Sequence, residues 1–130
     1  MILTKYIIDS FAWIEYLMAT ERGNIVKDHI ENEGNEIFTH IFSLAEISSR
    51  LSRSGIDSTE SIKIIVSNSG IINVSNISSI NAGKIHSKIR EKIKDFGLVD
   101  AFILSSAKNM GLKILTGDPH FNSFKEAVTI

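Results

Sequence analysis

Hydrophobic and polar positions along this chain switch repeatedly between a short, strand-like run and a helical period. Tyr6-Ile7-Ile8 is an apolar run that ends in Asp9 and reads as a buried strand. From Ser10 to about Ala19, the residues Phe11, Ile14, Leu17 and Met18 recur at helical spacing. A polar helix is predicted over Asn24–Glu31 and a short strand over Glu36–Thr39. Ser43–Ser52 and Ser58–Val66 read as two more helices, and Gly70 breaks the chain before a strand at Ile71–Val74.

The longest helix is predicted from about Ser79 to Asp95. Ile85, Ile89 and Ile93 form an apolar stripe there, beside a basic stripe of Lys84, Lys88 and Lys92. Gly97 is predicted to end it. Val99–Asn109 reads as an apolar helix stopped by Gly111, and Lys113–Leu115 as a strand. Pro119–Phe124 reads as a tight turn or short helix, and Ala127–Thr129 as a last edge strand. Strands alternating with helices predict an α/β fold, a three-layer α/β/α arrangement around a central, mainly parallel sheet. No repeat, linker or low-complexity tract interrupts the pattern, so residues 1–130 are expected to form a single domain.

Composition adds exclusions. The net charge of −1 gives no global pull toward nucleic acid or an anionic membrane, so a nucleic-acid partner would need a local basic patch. The absence of cysteine excludes disulfides, thiolate zinc sites and cysteine nucleophiles, and fits a reducing, cytoplasmic setting. Lys5 and Asp9 interrupt the N-terminal apolar stretch, which therefore reads as neither a signal peptide nor a membrane span.

The chemistry lies in four acids at strand ends or helix starts: Asp9, Glu46, Asp100 and Asp118. Open parallel sheets bind ligands just outside the carboxyl ends of their strands. Each acid also has a purely structural reading. Asp9 would cap the following helix, although Ser10 can take that task and leave Asp9 free. Ser43-Leu44-Ala45-Glu46 fits a capping box with Ser43 as the cap. Asp100 would complement a helix dipole, yet the surrounding helix is apolar, and a lone buried carboxylate is costly without a partner. Asp118-Pro119 fits an ordinary cap with proline at the first helical position. Four carboxylates at one sheet edge would repel unless a cation neutralised them. Oxygen-only ligands point to Mg²⁺ or Mn²⁺, ions that activate water and stabilise charge on a phosphoryl oxygen. Arg50 and Arg53 follow Glu46 at one and two helical turns. They are either solvated helix charges, with Arg50 pairing Glu46, or a hold for a phosphate backbone.

Ile7-Ile8-Asp9-Ser10, Leu44-Ala45-Glu46, Leu98-Val99-Asp100-Ala101 and Leu115-Thr116-Gly117-Asp118 resemble, in order and context, the motifs of PIN-domain ribonucleases. The resemblance runs through essentially the whole chain, whose length suits a stand-alone domain of the VapC toxin type. It implies metal-dependent RNA hydrolysis at Asp9, Glu46, Asp100 and Asp118, supported by the hydroxyls of Ser10 and Thr116. It also implies a homodimer and, for toxins, an antitoxin that covers the acidic cleft. Many relatives carry a further acid two residues after the last one. Here that position is His120, which leaves a second metal position open. His120 is the histidine nearest the predicted site, as a phosphate-binding or turn-packing group. His29, His40 and His86 show no ligand spacing and read as structural, and Trp13 reads as core or dimer contact.

Two other classes compete with a nuclease. An aspartyl-phosphate phosphatase also begins with a strand-end Asp, but wants a second acid two residues on, where this chain has Phe11. The other is a protein-binding module with a vestigial cleft. A nucleotide-binding fold finds no glycine-rich phosphate loop.

Overall fold

A computed structural model describes residues 4–130, so the first three residues of the N-terminal apolar stretch lie outside it. The elements run β1 (Thr4–Ile8), α1 (Ser10–Leu17), α2 (Glu21–Glu31), β2 (Asn35–His40), α3 (Ile41–Arg53), α4 (Thr59–Asn68) and β3 (Gly70–Ile72). They continue with α5 (Asn76–Ile89), α6 (Leu98–Met110), β4 (Lys113–Thr116), a 3₁₀ turn (Pro119–Phe121) and β5 (Ala127–Thr129). The five strands form one sheet in the order β3-β2-β1-β4-β5, and every pairing is parallel.

Side chains alternate across this sheet and build a core on each face. Ile8 and Leu115 point into one core, with Trp13 of α1, Val26 of α2, Ile47 and Leu51 of α3, and Ile65 of α4. Their neighbours Ile7 and Ile114 point into the other, with Ile103, Leu104 and Ala107 of α6 and the rings of Phe96 and Phe121. The three-layer α/β/α expectation is therefore met. Trp13 is fully buried and donates through Nε1 to Thr39 Oγ1 at 3.0 Å, which makes it a core residue rather than a dimer contact.

The strand order places the site. From β1 the chain moves outward to β2 and β3, then crosses over through α5 and α6 to β4 on the other side of β1. The direction of winding reverses between β1 and β4, and in open parallel sheets the ligand site lies beyond the carboxyl ends at such a reversal. Asp9 follows the last residue of β1, and Gly117-Asp118 follow the last of β4.

Several predicted boundaries move, each for a local reason. The long helix spans Asn76–Ile89, not Ser79–Asp95. Ser75 and Ser78 form a reciprocal capping box that starts it earlier. Beyond Arg90 the chain turns, and Phe96 enters the second core while Ile93 packs against it. Gly97 therefore does not end α5 but stands at the N-cap of α6. Helix α3 begins directly from β2, with His40 as its cap: Nδ1 accepts from the backbone N–H of Phe42 at 3.1 Å. Ser43 lies inside the first turn, and the predicted Ser43–Glu46 capping box does not form. Helix α1 stops at Leu17, because Ala19 takes a left-handed backbone, φ 54°, before Thr20 caps α2.

Candidate active site

Asp9 is the cap of α1, so the expectation that Ser10 would cap is corrected. Its Oδ1 accepts from the backbone N–H of Ala12 at 2.8 Å. Its Oδ2 accepts the hydroxyl proton of Thr116, across the seam to β4. Thr116 Oγ1 accepts in turn from the backbone N–H of Asp118 at 2.9 Å. Asp118 then accepts from the N–H of His120 at 2.9 Å and caps the 3₁₀ turn. One unbroken chain of hydrogen bonds thus joins the first and last acids of the motif set. Ser10, released from capping, donates to Glu46 Oε1 at 2.6 Å and ties α1 to the second turn of α3. Asp100 lies in the first turn of α6.

Burial and mutual charge set the electrostatics of Asp9 and Asp100. Asp9 is 3% exposed. Burial pushes its pKa up to about 7, the Thr116 and Ala12 hydrogen bonds pull it down, and the charges of Asp100 and Asp118 push it up again. Asp100 is raised to about 6, first by burial, then by Asp118 and Glu46, with His120 acting the other way. The structure brings Asp100 and Asp118 together, one oxygen of each lying within 4.8 Å of the other and of a His120 nitrogen, while Asp9 is linked to Asp118 through Thr116 and Glu46 to α1 through Ser10.

Two residues join the site that sequence reasoning did not assign. Asp95 Oδ2 lies 3.0 Å from His120 Nε2, and this contact holds Asp95 below its usual carboxylate range. The same contact, with Asp118 beside the ring, raises the His120 pKa. His120 Nδ1 lies 2.9 Å from Asp118 Oδ1. It is buried and makes no well-aimed hydrogen bond. Arg22 is the second addition. Its guanidinium lies 4.8 Å from the centre of the Phe11 ring and donates to the carbonyls of Gly117 at 3.3 Å and Ile130 at 3.2 Å. A Cβ on Gly117 would stand 2.4 Å from both Arg22 Nη2 and Phe11 Cε1, so any side chain there must displace Arg22 and Phe11.

Arg50 and Arg53 are exposed on α3 and enter no ion pair among the described residues, because Glu46 is held by Ser10 rather than Arg50. The other histidines have structural roles. His40 caps α3, His29 Nδ1 contacts the Ile25 carbonyl oxygen at 2.7 Å, and His86 Nε2 contacts that of Phe96 at 2.9 Å. The basic stripe is cut by the end of α5, and Lys88 and Lys92 border a shallow cavity floored by Ile89, Ile93 and Phe124. No helix among the described residues is long and apolar enough to cross a membrane.

The sequence matches the profile of the PIN domain over residues 6–127. The chain belongs to the PIN domain family. Among solved structures, this PIN domain is similar to a chain of the VapBC2 complex from Rickettsia felis bound to a promoter DNA fragment. The TM-score is 0.74 at 18% identity, covering 98% of each chain. It is also similar to VapC20 of Mycobacterium tuberculosis, described as a sarcin-ricin loop cleaving toxin. There the TM-score is 0.72 at 16% identity, over 96% of this chain and 99% of that one. A DNA-bound VapBC from Salmonella typhimurium matches at 0.72 and 16% identity, over 98% of both chains. No curated protein matches the sequence. At these identities the structural likeness establishes a shared fold.

Proposed function

We propose that this PIN domain is a metal-dependent endoribonuclease, the toxin of a toxin–antitoxin pair. What supports the reading is the meeting of Asp100 and Asp118 beside the carboxyl ends of β1 and β4, with Asp9 tied to Asp118 through Thr116 and charge coupling linking Asp9 and Glu46 to Asp100. Neighbouring charge raises the cost of ionising Asp9 and Asp100, and the donor atoms of the four acids are all oxygen. A hard divalent cation such as Mg²⁺ or Mn²⁺ answers both facts. Asp9, Asp100 and Asp118 would hold it, with Glu46 binding directly or through water. When bound, such an ion supplies Lewis acidity, drawing charge off a phosphoryl oxygen and easing deprotonation of the attacking water.

The chain's own residues supply orientation. Ala12 N–H and the Thr116 hydroxyl fix both oxygens of Asp9, so the carboxylate has no rotamer freedom to lose on ligation. Ser10 holds one oxygen of Glu46. Arg50 and Arg53 extend from Glu46 along α3 as the proposed hold on the RNA backbone. Hydrolysis in line would leave a 3′-hydroxyl and a 5′-phosphate. The phosphatase reading is weaker, since Phe11, where it needs an acid, is packed against Arg22.

VapBC structures are complexes, and a similar antitoxin, a homodimer and a cytoplasmic setting are proposed for this chain by analogy. The decisive experiment is cleavage of a labelled structured RNA with Mg²⁺, with Mn²⁺ and with EDTA, beside Asp9→Asn. Metal-dependent cutting that falls to background in the variant supports the reading. Full activity in a folded Asp9→Asn protein removes it.

A further inference from the structure

We propose that Arg22 is a positioning residue for Asp118. Its guanidinium locks the peptide between Gly117 and Asp118, and with it the direction in which the Asp118 side chain leaves the backbone. The proposal rests on the nuclease reading only in taking Asp118 as part of the active site.

A peptide unit is planar, so holding its oxygen and its N–H fixes the whole plate. The Gly117–Asp118 plate is held at both ends. Its oxygen accepts from Arg22 Nη2 at 3.3 Å, and its N–H donates to Thr116 Oγ1 at 2.9 Å. The preceding plate is held from β5, because the Thr116 carbonyl accepts from the N–H of Ile130 at 3.0 Å. Ile130 returns the connection to Arg22: its oxygen accepts from Nη2 at 3.2 Å and from Nε at 3.3 Å. Arg22, Ile130, Thr116 and the Gly117–Asp118 peptide thus close a ring of hydrogen bonds just beyond β4. Asp118 leaves that ring with one carboxylate oxygen within 4.8 Å of ligand atoms of Asp100 and His120.

Two glycines let Arg22 into this place. A Cβ on Gly23 would lie 2.1 Å from the backbone oxygen of Glu15, so the first turn of α2 rests directly on the backbone of α1. Thr20 caps that turn, accepting from the N–H of Gly23 at 3.0 Å. On the other side, Gly117 has no side chain to keep Arg22 and Phe11 away. The guanidinium lies 4.8 Å from the centre of the Phe11 ring, and Phe11 stands between Ser10, which holds Glu46, and Ala12, which holds Asp9. A planar fork with several donors can stack on a ring and serve two carbonyls at once. A lysine ammonium is a point charge without a face and cannot do both.

Two rival roles are distinguishable. Arg22 as a mere fastener of β5 would act on the whole β4–β5 pairing. Arg22 as a cation touching RNA would act on substrate affinity and be replaceable by lysine.

The test compares wild type with Arg22→Ala and Arg22→Lys, at a temperature where circular dichroism shows each to be folded. Arg22→Lys carries the test if Arg22→Ala does not fold. Hydrogen exchange is followed at the amide of Asp118 and at that of Ile114, which donates to the Glu126 carbonyl at 2.8 Å and reports on the β4–β5 pairing. Mn²⁺ affinity is read by calorimetry, and kcat and KM with a labelled structured RNA. In both variants the Asp118 amide should exchange faster while Ile114 keeps its rate. Mn²⁺ affinity should fall about tenfold, as it does when the support of a metal ligand is removed. The kcat should fall by about a hundredfold with KM unchanged, the order expected for a displacement near 1 Å. Unchanged Asp118 exchange and Mn²⁺ affinity in a folded variant overturn the proposal, as does equal quickening at Ile114. A raised KM at constant kcat, or full recovery by Arg22→Lys, also overturns it. The nuclease reading is judged apart. If wild type cuts no RNA but Asp118 exchange and Mn²⁺ affinity respond to Arg22, the positioning role stands and the nuclease falls. If wild type cuts RNA and neither quantity responds, the nuclease stands and the positioning role falls.

Discussion

Thr116 donates its hydroxyl proton to Asp9 across the β4–β1 seam, while its oxygen accepts from the backbone of Asp118. One buried side chain thus fixes two acids. Thr116→Val removes both contacts with little change in shape and should destabilise the fold by about 1–3 kcal/mol. It should also weaken divalent-ion binding, because the charged form of Asp9 loses a donor. Thr116→Ser should recover most of both. Urea unfolding and calorimetry with Mn²⁺ measure the two effects.

The carboxyl of Asp9 titrates at about 7 in the folded chain, against an ordinary 3.8. An acid raised by folding holds its proton more tightly when folded. Its contribution to stability is therefore complete below pH 3.8 and is lost as pH rises through 7. Asp9→Asn lacks this loss. In EDTA the variant should gain on wild type between pH 4 and pH 8, by about 4 kcal/mol. Saturating Mn²⁺ at pH 8 should then stabilise wild type more than Asp9→Asn. Thermal unfolding across the pH range reads both.

His40 behaves oppositely. It is buried, and desolvation lowers its pKa to about 4 from 6.5. Its contribution is present above pH 6.5 and is lost as pH falls through 4. His40→Asn keeps a side-chain oxygen able to cap α3 and has no charge to acquire. Between pH 7 and pH 4, wild type should lose about 2 kcal/mol relative to this variant. The slope against pH is the quantity to compare, since the smaller Asn side chain shifts the absolute values.

Gly117→Ala places a methyl group 2.4 Å from both Arg22 Nη2 and Phe11 Cε1. The clash should cost about 1–3 kcal/mol. It should also impair RNA cleavage, because Asp118 is the next residue. Arg22→Ala removes one of the two obstacles. The double variant should therefore be less damaged than the sum of the singles, a coupling that a double-mutant cycle of unfolding energies measures.

The fold was legible where apolar runs are short and end in polar residues. Ile7-Ile8 and Ile114-Leu115 read as buried strands because adjacent residues must fill opposite faces of a covered sheet. The end of α5 was not legible, since Ile93 continues the spacing of Ile85 and Ile89 although the backbone has already turned. Its residue type reports that it packs inward, not how the chain brings it there. The four acids were legible from their places at strand ends and helix starts. Their division of labour was not: Asp9 and Ser10 are both good caps, and the choice between them depends on Glu46, 36 residues away from Ser10. Arg22 and Asp95 were missed because their partners, Gly117 and His120, are distant in sequence and no local pattern records such pairs.

The direct passage from β2 into α3 gives the cleft a divided ownership. Asp9, Asp100 and Asp118 stand on the β1–β4 seam and the start of α6, while Glu46 stands on α3, tied to α1 by the Ser10 hydroxyl and coupled by charge to Asp100. A small tilt of α3 would leave three carboxylates in register and carry the fourth away. The charge offered to an incoming cation is therefore set by how α3 sits against the β1–β4 seam as well as by which residues are ionised.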